Sequence, residues 1–111
     1  DINVWLINTG WTGGAYGVGQ RFPLAVTRRL IEAVQNNELA KAEYIKEEVF
    51  GLNVPKQVQG VETKLLNPRS SWSDGDSYNL SAKKLAKMFH DNFSKFAEVS
   101  DEIKSGGPLA F

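Results

Sequence analysis

A chain of 111 residues has room for one modest hydrophobic core and no second domain. Its thirteen basic and thirteen acidic residues cancel, which excludes a global field aimed at nucleic acid or an anionic membrane. The lack of cysteine removes disulfides, thiolate nucleophiles and cysteine metal sites, and no apolar run approaches the roughly 18 residues of a membrane span.

The first predicted element is a strand at Val4-Trp5-Leu6-Ile7. Its apolar run is continuous rather than alternating, which suits a strand covered on both faces, as in a parallel sheet. Such a strand needs neighbours. Asp1-Ile2-Asn3 leads straight into it with no initiator Met or signal peptide, and the sole Met, Met88, falls inside a helical pattern. The chain therefore reads as a piece of something longer. Residues 9–20 form a loop containing Gly10, Gly13, Gly14, Gly17 and Gly19. Pro23 then suits the first position of a helix, where its missing N–H costs nothing. Leu24, Thr27, Leu30, Ile31 and Val34 recur at helical spacing up to Asn36-Asn37.

Lys41 to Val54 fits neither period well, and Gly51 argues against a helix there, so one or two short strands are expected, ended by Pro55. Gln57 to Ser73 reads as an extended surface excursion pinned by Val61, Leu65, Leu66 and Trp72. Ser73-Asp74-Gly75-Asp76 offers N-caps for a long helix. On that helix Tyr78, Ala82, Leu85, Phe89, Phe93 and Phe96 define an apolar face, opposite Lys83, Lys84 and Lys87. A short turn at Asp101 to Lys104 and the breaker Gly106-Gly107-Pro108 close the chain. The class is mixed α/β: strand, glycine loop, helix, short strands, long C-terminal helix.

The glycine loop is not a P-loop, because Gly19-Gln20-Arg21 stands where Gly-Lys-Ser/Thr is required. The dinucleotide spacing Gly-x-Gly-x-x-Gly is absent too. Arg21 admits two readings: a guanidinium that stacks on a purine or pairs with phosphate, or a surface arginine bonding loop carbonyls. Thr27 likewise bonds a base edge or back-bonds to its own helix. His90 has no second metal-type ligand at a useful spacing, and capping explains Asp74 and Asp76 without a metal. No catalytic residue and no metal site is expected in this chain.

The string Val4-Trp5-Leu6-Ile7-Asn8-Thr9-Gly10-Trp11-Thr12-Gly13-Gly14-Ala15-Tyr16-Gly17-Val18-Gly19, with Arg21 and Thr27-Arg28, strongly resembles the C-terminal region of ATP-dependent phosphoenolpyruvate carboxykinases. The likeness continues through Leu30–Val34, Phe50–Pro55, Gly60–Arg69, Leu85–Phe89, Asn92-Phe93, Phe96 and Gly107-Pro108. It covers essentially the whole chain.

The resemblance implies that residues 1–111 are the C-terminal segment of a mononucleotide-binding domain, incomplete by itself. The family converts oxaloacetate and ATP to phosphoenolpyruvate, CO2 and ADP in gluconeogenesis, a cytoplasmic reaction. It uses Mg2+ on the nucleotide and commonly Mn2+ at the substrate. By the match Arg21, Phe22 and Thr27 contact ATP: the arginine packs on adenine and ribose, and the threonine bonds the base edge. The family often has an aliphatic residue at the position of Phe22. The phosphate loop, metal ligands and oxaloacetate site lie upstream, so the implied partners are the remainder of the enzyme and ATP, with no nucleic acid and no membrane. The isolated chain is then expected to be inactive. The competing expectation is a non-catalytic nucleotide-binding or interaction module that reuses the fold; a third is that the long amphipathic helix serves a partner.

Overall fold

The computed structural model describes residues 2–109. It is a mixture of helices and two small sheets, in the order β1 (Trp11–Thr12), β2 (Gln20–Arg21), α1 (Leu24–Gln35), β3 (Tyr44–Lys46), β4 (Asn53–Pro55), α2 (Pro68–Ser71), α3 (Gly75–Phe93) and α4 (Asp101–Lys104). A 3-10 turn at Thr63–Leu65 precedes α2. Each sheet is a two-stranded antiparallel hairpin: Trp11 faces Arg21 in the first, and Ile45 faces Val54 in the second.

The expected strand at Val4–Ile7 does not form. Residues 2–9 pair with no strand among the described residues. Ile2, Val4 and Leu6 are 80–90% exposed, whereas Trp5 and Ile7 are 37% and 41% exposed. One face of the segment is thus half covered, with the Trp5 ring 6.4 Å from that of Tyr44, and the other face is open. A strand built for burial on both faces needs partners on both, and the second hairpin supplies only one. Asp1, read above as the lead into that strand, lies outside the described residues.

The glycine loop is more ordered than its composition suggests. The Gly19 N–H donates to the carbonyl of Ala15 at 2.8 Å, and Phe22 N–H to that of Gly10 at 2.9 Å, so the segment closes as a hairpin. Helix α1 starts one residue later than expected. Pro23 is its N-cap, with an extended ψ of 137°, not its first helical residue. Asn36 caps the far end and Asn37 takes φ +58°, a conformation asparagine tolerates better than most residues. The ambiguous stretch Lys41–Val54 resolves into the β3–β4 hairpin. Glu47 holds its turn by accepting the N–H groups of Val49 and Phe50 at 2.9 and 2.5 Å.

Two small cores hold these pieces. Ala33, Leu39 and Val58 are buried together, with Leu30, Val34, Ala42, Val61 and Leu66 packed around them. The excursion from Gln57 is therefore anchored by Val58, Val61 and Leu66. Val49, Ala82 and Ala86 form the second cluster, under Phe50 and Tyr78. Asp74 caps α3 as expected, accepting from Asp76 N–H at 3.0 Å and from the Ser77 hydroxyl at 2.7 Å.

The apolar face of α3 departs from expectation. The helix ends at Phe93, so Phe96 lies beyond it. Leu85, Phe89, Phe93 and Phe96 are 37–56% exposed: the Phe50 ring meets that of Phe89 edge-on at 5.7 Å, but only Ala82 and Ala86 of the helix are buried. The accessible surface is 8707 Å², against about 6,100 Å² for a compact monomer of this mass. The radius of gyration is 15.3 Å, against about 13 Å for a compact domain of this length. Much of the chain's apolar surface is uncovered.

Candidate functional site

Arg21, Phe22 and Thr27 meet at the junction of the first hairpin and α1. Arg21 ends β2 opposite Trp11, and Pro23 turns the chain into the helix. Thr27 then closes the first helical turn, its N–H donating to the Pro23 carbonyl at 3.2 Å. The two conformational restraints are local: a two-residue ladder ahead of the junction, and the fixed φ of proline within it.

The alternatives left open for these side chains are separated by their hydrogen bonds. The Arg21 guanidinium is exposed and bonds no loop carbonyl and no carboxylate among the described residues. The Thr27 hydroxyl is partly buried, and no back-bond to its own helix forms among the described residues. Ser71 and Ser94, by contrast, bond the carbonyls of Pro68 and Asp91 at 2.8 and 2.7 Å. Both Arg21 and Thr27 thus present unused donors. Phe22 is half-buried, and its own N–H is engaged by Gly10, which leaves its ring and carbonyl as the groups able to face a ligand. No acidic residue lies in the first turn of α1. The junction is therefore suited to an electron-rich, planar or anionic group.

Two clefts lie elsewhere. One, of about 110 Å³, is lined by Lys46, Glu47, Arg69, Tyr78 and Asn79 among others. Burial pushes the Tyr78 phenol up, and the Glu47 carboxylate adds to it. The other, of about 90 Å³, lies between Phe89, Phe93, Ile103 and Pro108. Arg21, Phe22 and Thr27 line neither of these clefts. His90 is exposed on α3 beside the second cleft. Among the described residues no three His, Asp or Glu side chains gather as a metal centre would require.

One polar cluster was not visible in the sequence. Arg29 donates through Nη1 and Nη2 to both oxygens of Glu38, at 3.0 and 2.5 Å, and through Nε to the Gln59 carbonyl at 2.8 Å. Glu32 stands 3.8 Å away. The hydrogen bond from Arg29 holds the Glu38 carboxyl below the usual carboxylate range. Its partners lie nine and thirty residues away, so no short-range pattern signals it.

The model of the phosphoenolpyruvate carboxykinase family matches residues 1–64, a span that includes the whole hairpin–helix junction. Phosphoenolpyruvate carboxykinase (ATP) of Bacillus mycoides is 50% identical over 111 residues, 99% of this chain and 21% of that protein. The enzymes of the same name from Caldanaerobacter subterraneus subsp. tengcongensis and Thermus thermophilus are 47% and 49% identical, over 97% and 95% of this chain. The chain spans about a fifth of the length of these relatives. No helix among the described residues is long and apolar enough to cross a membrane. Matched along its first 64 residues by the family model, and nearly end to end by these relatives, the chain belongs to the ATP-dependent phosphoenolpyruvate carboxykinase family.

Proposed function

We propose that this chain is the C-terminal segment of the nucleotide-binding domain of an ATP-dependent phosphoenolpyruvate carboxykinase, and that it supplies the base-and-ribose end of the ATP site. The observation that carries this is the pair of unused donors at the hairpin–helix junction, Arg21 and Thr27, inside the span matched by the family. Arg21 lays its planar guanidinium against the adenine and ribose, and Thr27 bonds the edge of the base. Phe22 borders the base between them.

The reaction is the transfer of the ATP γ-phosphoryl group to the enolate left when oxaloacetate loses CO2, in the gluconeogenic direction in the cytoplasm. Mg2+ and Mn2+ would neutralise the charge on the phosphoryl group and the enolate. This segment's share is binding and orientation of the nucleotide. The uncovered apolar surface at residues 2–7 and on α3 supports packing against the remainder of the enzyme. The chain alone does not catalyse the reaction.

The test is kinetic. In the intact enzyme, Arg21→Ala should raise KM for ATP about tenfold and leave KM for oxaloacetate within twofold. Equal increases in both would remove Arg21 from the nucleotide site.

A further inference from the structure

Resting on the ATP-site reading, one further role emerges from α1. Residues two positions apart on a helix, as Thr27 and Arg29 are, are separated by about 200° around its axis. Thr27 and Arg29 therefore border the packed stripe of Leu30, Ala33 and Val34 on opposite sides. The most buried residue of that stripe, Ala33, lies on its Arg29 side. That border is held by Arg29, which donates three hydrogen bonds to two separate segments: the exit of α1 at Glu38 and the excursion at Gln59. A planar guanidinium with all three contacts fixed admits little rotation. Gly60, at φ +84°, lets the excursion come close: a Cβ there would stand 3.3 Å from Arg29 Nε.

We infer that Arg29 is a positioning residue for ATP binding, whose clasp on Glu38 and Gln59 fixes the roll of α1 and so aims Thr27, on the opposite border, at the base. Arg29 touches no nucleotide and acts through Thr27.

The test is a double-mutant cycle in the intact enzyme. Arg29→Met should raise KM for ATP about fivefold, with kcat and KM for oxaloacetate within twofold of the parent. Thr27→Val should raise KM for ATP by itself, and adding Arg29→Met to it should cost less than a further twofold, because the aim of a hydroxyl no longer present cannot matter. Glu38→Gln, which keeps the shape of the clasp and removes its charge, serves the same cycle if Arg29→Met does not fold. An unchanged KM for ATP in Arg29→Met, an equal rise for both substrates, or full additivity with Thr27→Val would overturn the positioning role. A silent Thr27→Val would overturn the base-site assignment of Thr27 and the positioning role with it. A response to Thr27→Val without one to Arg29→Met overturns the positioning role alone.

Discussion

Gly19 lies so close to the Gly14 carbonyl that a Cβ at position 19 would overlap that oxygen, and would stand 2.6 Å from the Thr12 carbonyl. The requirement is one of space between two backbone strands and not of backbone angle. It makes Gly19 the residue that lets the first hairpin close and deliver Arg21 to the mouth of α1.

Gly19→Ala should therefore open the hairpin and weaken ATP binding in the intact enzyme about as much as loss of Arg21 does. Gly10→Ala is the control, since its Cβ would meet only Asn8 Oδ1 at an ordinary 3.6 Å. Nucleotide titration of the two variants should show a large loss for position 19 and little for position 10. Equal losses would mean that the loop does not act by closing.

Leu39 is 6% exposed in the core under α1. Leu39→Ala should cost about 2–5 kcal/mol of unfolding free energy, as for other buried leucines cut to alanine. Urea denaturation of the intact protein checks this, and a change below about 1 kcal/mol would mean that the Ala33, Leu39 and Val58 cluster does not hold the segment.

Ala86 is fully buried against Val49 and Phe50 on the covered side of α3. Ala86→Leu should destabilise by about 1–3 kcal/mol through overpacking, whereas Ser81→Leu at an exposed position should be near neutral. Thermal melts of the two variants separate the faces of the helix.

Two carboxylates give the segment an acid limit. The Glu38 carboxyl is lowered chiefly by its hydrogen bond from Arg29, and that of Asp74 chiefly by the Ser77 hydroxyl, with Asp76 N–H adding to it. A lowered folded-state value means that the stabilisation is complete above the unfolded carboxylate pKa and is lost as the pH falls through the folded one. The Arg29 guanidinium, raised by the same pair, stays charged throughout that window. Stability should thus be flat near neutrality and fall below the ordinary carboxylate range. Glu38→Gln and Asp74→Asn should each flatten that fall, as followed by pH-dependent melts.

What the sequence disclosed divides along physical lines. Helix α1 and the cap at Asp74 were legible because propensity and capping act over a few positions, whereas Lys41–Val54 read only as one or two short strands and its pairing as a hairpin was not legible. Apolar patterning at Val4–Ile7 and along α3 marks surfaces suited to burial, but it carries no record of what buries them: Val4–Ile7, read as covered on both faces, is half covered on one, and the apolar face of α3 is largely open. Val58 escaped because it stands in a stretch with no period. The clasp at Arg29 escaped because its partners are distant in sequence. At the candidate site, Arg21, Phe22 and Thr27 were identified by likeness to a family, and their residue types alone left each open to a structural role.

Photolabelling of the intact enzyme with 8-azido-ATP tests the base-site assignment most directly, since the azide sits on the adenine itself. Label, suppressed by excess ATP, should appear in the tryptic peptides ending at Arg21 and at Arg28, which together contain Arg21, Phe22 and Thr27. ATP-protected label confined to peptides outside residues 1–28 would contradict the assignment.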